Sequence, residues 1–281
     1  MSTVTTTTVP TLHVTASDHR STRSGRDDVA ALPAALRSEW IKLRSLRSTP
    51  AILAATVVIG ILLSWILATF VTTDPNTDEV FTISQTFIFS TWLTTVLAAI
   101  SGTLLFTSEV QHGTLATAVI AQPARWVIVA AKAVIAAGLG VVMGAAGMAA
   151  GLAGAVLGGL EVGDTSGVLA TAAWGLLLTS MAPLFGLGVG MILKHGPMAV
   201  SFVLVWALVL ENLIRGFAPP TLSRFLPFSA ATGLLGIRQA GDTDETIAVA
   251  LSRVHDALLF GGYVVAAIAV GTALLYRRDP S

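Results

Sequence analysis

Apolar residues gather in six runs along the chain, at about 51–71, 83–106, 133–160, 168–193, 197–214 and 257–275. The first, AILAATVVIGILLSWILATFV, is 21 residues long without a charge. About 20 apolar residues at 1.5 Å rise cross the ~30 Å hydrocarbon core of a bilayer. The pattern therefore predicts six membrane-spanning helices in an all-α polytopic protein. The ends of the runs are marked by polar residues. The second closes at Phe106 before Thr107, Ser108 and Glu109, and the fourth stops at Lys194-His195-Gly196-Pro197. The fifth reaches a charge at Glu211, and the sixth closes at Tyr276-Arg277-Arg278.

Ahead of the runs the pattern changes twice. Residues 1–31 are rich in Thr and scattered charge, lack an apolar core of signal-peptide length, and read as a disordered cytoplasmic tail. Within 32–49, Leu32, Leu36, Trp40, Leu43 and Leu46 recur at helical spacing, interleaved with Arg37, Glu39, Lys42 and Arg44. That is an amphipathic interfacial helix whose bases can reach anionic headgroups, or more simply a positive anchor for the first span. Residues 50–278 form the six-span domain.

Composition agrees: 54% of the 281 residues are apolar, 11% are charged, and mean hydropathy is +0.79. So few charges could not solvate a soluble fold of this size. The formal net charge is zero, from 16 bases and 16 acids, which argues against nucleic acid as a partner. Their distribution is informative. With both termini inside, twelve bases and six acids fall on the cytoplasmic side, against four bases and ten acids outside. The four external bases, Arg215, Arg224, Arg238 and Arg253, all lie in one long segment before the last span. The Lys/Arg bias of the short flanks thus sets the expected orientation.

Several chemistries find no support. No ionisable residue lies near the centre of any run, whereas ion-coupled carriers usually keep such groups for coupling. The three lysines, Lys42, Lys132 and Lys194, follow Ile, Ala and Leu, so no phosphate loop for ATP is possible. There is no His-Glu-x-x-His motif, and GDTSG at 163–167 lacks the spacing of a nucleophile elbow. With no Cys, thiolate metal sites and cysteine nucleophiles are ruled out. No catalytic residue, metal site or cofactor is expected in this chain.

Two features remain. Gly140, Gly144, Gly147, Gly151, Gly154 and Gly158 recur at alternating spacings of 4 and 3 and line one stripe of the third span. Such a stripe lets another backbone approach closely, as a moving interface, a subunit seam or ordinary packing within the chain. Pro183, Gly186, Gly188 and Gly190 in the fourth span spread around the helix and read as a bendable segment. Between spans two and three runs SEVQHGTLATAVIAQPARWVIVAAK, where Gly113-Thr114 can break one helix and start another. Pro123 ends the segment, with Arg125 and Lys132 flanking the return to the bilayer. A short helix across two span ends is a handle that an external machine could push.

The combination of Ser38-Glu39-Trp40-x-Lys42-Leu43-x-Ser45-x-Arg47, six spans, Glu109-x-x-x-Gly113-Thr114, Pro123-x-Arg125 and Lys132 resembles the ABC-2 type permease family, its compact actinobacterial members in particular. The likeness covers about residues 34–278. It implies an elbow helix, a cytoplasmic coupling helix between spans two and three, and short re-entrant external helices within 216–254. Glu109, Gly113, Thr114, Pro123 and Arg125 would then form or frame the contact with an ATPase. Members often carry an aromatic residue and then a base after the Glu, where this chain has Val110 and Gln111. The implied function is the membrane half of an ATP-driven exporter in the bacterial plasma membrane. It would pair with a second permease copy or paralogue and with two copies of an ABC ATPase, which would bind the ATP and Mg²⁺. Its substrate would be an apolar or amphipathic small molecule: a drug, natural product or lipid-like compound. The rival readings are a secondary transporter or channel, and a non-transporting immunity or sensor protein on the same fold.

Overall fold

The computed structural model describes residues 29–45, 48–71, 83–115, 124–160, 165–237 and 244–277. All regular structure among them is helical. We number the helices α1 Leu32–Ser45, α2 Ser48–Val71, α3 Ile83–Gln111, α4 Arg125–Leu157, α5 Thr165–Leu193, α6 Gly196–Val205, α7 Glu211–Phe217, α8 Pro220–Ser223, α9 Pro227–Leu235, α10 Asp244–Ala248 and α11 Arg253–Arg277. A π-helical turn, Trp206–Leu210, joins α6 to α7, so the two make one continuous rod. Six helical stretches are long and apolar enough to cross a membrane: α2, α3, α4, α5, the α6–α7 rod and α11.

The helices outrun the apolar runs, most of all at α4. This helix begins at Arg125 rather than near 133, and α3 continues past Phe106 to Gln111. The sequence places Lys132 in a loop, whereas it sits two turns inside α4 and is buried. A charge is tolerated there because protein groups pair with it, as described below. Of the segment 108–132, the first four residues belong to α3 and the last eight to α4. Residues 116–123, including Pro123, lie outside the described residues.

Helices α3, α4 and α5 pack on one another and form the centre. The apolar windows of α2, the α6–α7 rod and α11 are each only 22% buried, so they form the periphery. Helix α2 lies against α4 and α3, and α11 lies against α5 on the opposite flank. The centre is held by backbone approach. A Cβ on Gly140 or Gly144 would collide with Thr179 of α5, on Gly147 with Thr94 of α3, and on Gly154 with Ile61 of α2. Gly151 faces Ser90 and Ser64, and Gly158 meets Ala68. The stripe thus crosses α5, α3 and α2 in turn, so its cover is this chain's own helices.

Helix α5 differs from its sequence reading. It runs unbroken through Pro183, and its glycines are packing contacts on two flanks. Gly186 and Gly190 meet Ala99 and Thr103 of α3, while Gly188 meets Ala267 of α11. A helix enclosed on both sides needs small residues on both, which a spacing of two supplies.

Helix α3 buries Thr86, Ser90, Thr91, Thr94, Thr95, Ser101, Thr103 and Thr107. Most of the hydroxyls bond backward to their own helix, as Thr94 does to the Ser90 carbonyl at 2.9 Å. Ser90 instead donates across to the Gly147 carbonyl of α4 at 3.1 Å. Phe185, Phe228 and Phe260 pack at ring distances of 6.1 to 6.4 Å and seat α9 on α5 and α11.

Candidate functional site

Chain direction places α1, the C-terminus of α3, the N-terminus of α4 and the C-terminus of α11 at the same end of the bundle. Four charged side chains meet there. Lys42 Nζ of α1 lies 2.7 Å from Glu39 Oε1, one turn back on the same helix, and 2.8 Å from Glu109 Oε1 of α3. Lys132 Nζ of α4 lies 2.7 Å from Glu39 Oε2 and 2.7 Å from Glu109 Oε1. The result is a closed ring of two acids and two bases that ties three helices together.

Burial sets the weight of each contact. The Lys132 side chain is 2% exposed and both carboxylates are 9% exposed, whereas Lys42 is 36% exposed. Lys132 therefore carries the desolvated half of the ring, and Lys42 closes it at the surface. Burial alone pulls the Lys42 pKa down, but hydrogen bonds to Glu109 and Glu39 and their charges outweigh it, leaving the group above its ordinary 10.5. Glu109 Oε1 receives both lysines, while its Oε2 is buried without a hydrogen-bond partner among the described residues.

The remaining residues singled out by sequence fall around this ring. On α1, Glu39 and Leu43 are buried toward α4, while Arg37, Trp40 and Arg44 are exposed. The helix thus turns its Glu39–Lys42–Leu43 face inward and leaves Trp40 and Ile41 facing out, a place suited to an interfacial aromatic. Gly113, at φ +67°, turns the chain out of α3, and the exposed Thr114 hydroxyl donates to the Glu109 carbonyl at 3.4 Å. Arg125 Nη1 donates to the Leu275 carbonyl at 2.5 Å, and its guanidinium lies 5.7 Å from the Tyr276 ring centre. A cation on an unsatisfied carbonyl at a helix C-terminus is favourable, so α4 is anchored to α11.

Sequence reasoning missed the inward role of Glu39 and the burial of Lys132. It also missed Glu211, at the far end of the bundle, which is 2% exposed. Its carboxylate accepts the backbone N–H of Phe228 at 3.0 Å and that of Ser229. These are free donors of the first turn of α9, so Glu211 caps that helix from another element. Pro227 and the acid preference of helix N-termini were available signals, but the remote partner is a product of packing. Glu211→Gln, whose amide nitrogen cannot accept, is expected to leave one of these N–H groups unpaired and cost about 1.5 kcal/mol. Thermal unfolding in detergent, compared with the parent, measures it.

Among known families, the model described as ABC-2 family transporter protein matches residues 35–226, from within α1 to the turn before α9. No curated protein matches the chain.

Proposed function

This chain belongs to the ABC-2 transporter family, and from that premise we propose that it is the membrane subunit of an ATP-driven exporter. It is a multi-pass membrane protein. In this reading the ring end is cytoplasmic and a separate ABC ATPase, in two copies, docks there and holds the ATP and Mg²⁺. A second permease chain completes the path for an apolar or amphipathic substrate.

One observation carries the proposal. The chain leaves α3 after Gln111 and begins α4 at Arg125 at the ring end, where α1, α3 and α4 are bound by ion pairs and α11 by Arg125. A push on the end of α3 or the start of α4 would be delivered to four helices at once. Glu109 then acts as a transmitting residue from inside the ring, while Gln111, His112, Gly113 and Thr114 are exposed to a partner. Displacement by the ATPase would shift the population between inward- and outward-open states.

The exposed turn separates contact from folding. His112→Glu is expected to reduce ATPase co-purification by about tenfold, a change of ~1.4 kcal/mol, with thermal unfolding unchanged. Undiminished co-purification would contradict docking at this turn. Ion-gradient-driven transport in vesicles lacking any ATPase would overturn the exporter reading itself.

A further inference from the structure

At the opposite end from the ring, α7 to α11 enclose a cavity of about 400 Å³. Its lining brings together Arg215 from α7, Arg224 from the turn after α8, and Arg253, the first residue of α11. These are three of the four bases at this end of the chain, the fourth being Arg238, outside the described residues. The segment from α7 to α11 has thus gathered three guanidinium groups around one space.

Two of these guanidinium groups, Arg224 and Arg253, have no carboxylate partner among the described residues. Arg224 Nη1 donates to the Val249 carbonyl at 3.0 Å and its guanidinium lies 4.8 Å from the Phe225 ring centre, but its Nε is buried without a hydrogen-bond partner among the described residues. Arg253 lies against Gly236, which adopts φ +75°, and a Cβ there would stand 2.6 Å from Arg253 Nη2. The lining holds one acid, Asp256, and Glu211 behind it is engaged with the α9 backbone. Positive charge is in excess, hydroxyls of Ser223 and Ser252 stand beside it, and Ile237, Ile247 and Leu251 supply an apolar wall.

We propose that this cavity binds a phosphate-class oxyanion, as carried by a phospholipid headgroup or a soluble phosphate ester. Planar guanidinium forks match such oxygens in pairs, which a lysine cluster would not do. The volume suits a headgroup with its first apolar carbons rather than a bare ion. The site goes beyond the exporter reading and does not depend on the ATPase.

The chain has no Cys, so Ala250→Cys, an exposed lining position, gives the full-length protein a single reporter. In phosphatidylcholine vesicles this thiol is expected to react about tenfold faster with an anionic methanethiosulfonate than with a cationic one, because the cavity concentrates anions. Adding Arg253→Gln, or Arg224→Gln with Arg253→Gln, should bring the ratio near one. Including phosphatidylglycerol in the vesicles, or adding glycerol phosphate to the solution, should slow labelling. Protection by the first assigns a lipid headgroup, and protection by the second a soluble ester. A ratio unchanged in both variants, or no protection by either probe, overturns the proposal. Arg253→Gln alone keeps the Arg224–Val249 bond, so the test stands even where the double variant fails to fold.

Discussion

Lys132→Met is expected to destabilise the bundle by about 3–5 kcal/mol, the usual cost of removing one partner from a buried ion pair. The substitution nearly preserves volume, so little of the loss comes from packing. What it leaves is two carboxylates, each 9% exposed, sharing the half-exposed Lys42. Glu109 Oε2 already has no donor among the described residues, so that carboxylate has no second donor with which to compensate. Lys42→Met should cost less, because water reaches its place in the ring. Neutralising all four residues together, Glu39→Gln, Lys42→Met, Glu109→Gln and Lys132→Met, should restore much of what Lys132→Met alone removes. Thermal unfolding in detergent ranks the three proteins. Equal losses in the single and quadruple variants would show that shape, not charge, holds the end together.

The ring also has a pH signature with a definite sign. The folded pKa of Lys42 is raised above its ordinary 10.5, since bonds to Glu109 and Glu39 outweigh burial. Its contribution to stability is therefore complete below about pH 10.5 and fades only as pH climbs through the raised folded value. Across neutral pH Lys42 stays charged and keeps its place in the ring.

The six spans were legible because lipid admits few alternatives: an apolar run of bilayer length is a helix. Their ends were less so. Apolar counting stops the second run at Phe106 and starts the third near 133, since Glu109, Arg125 and Lys132 resemble interfacial charges. Only the approach of Glu39 and Glu109 shows why α4 can carry Lys132 two turns inside its start. The same limit applied to α1. Its leucine spacing reveals a helix, but a Glu and a Lys at (i, i+3) look like a solvated pair until a second helix brings their counterparts. The glycine stripe was legible as a close-packing surface. Which backbone covers it follows from topology, and the answer changes along its length from α5 to α3 to α2. Glu211 and the three arginines of the far cavity stood in the sequence as scattered charges, joined only by the folding of α7 to α11.

Gly186→Ala is expected to cost about 3 kcal/mol, at the upper end of what inserting a methyl group into a packed core does. The new Cβ would fall inside the carbonyl oxygen of Ala99 and stand 3.1 Å from the Thr103 nitrogen. Both obstacles are backbone, so no rotamer change relieves them, and α3 and α5 must move apart. That separation would loosen the neighbouring contacts of the same seam, Gly102 on Pro183 and Gly190 on Thr103. In lipid, helix association rests on such close approach, because the hydrophobic effect does not favour one apolar neighbour over another. Gly138→Ala in α4 is the matched control. It is exposed, a Cβ there meets nothing within 4 Å, and alanine is the better helix former by up to about 1 kcal/mol. The same mutation in two helices should thus shift the unfolding midpoint in opposite directions. A loss at Gly138 as large as that at Gly186 would mean that glycine is required for helix flexibility rather than for backbone contact. The opposite shifts would locate the requirement in the seam between α3 and α5.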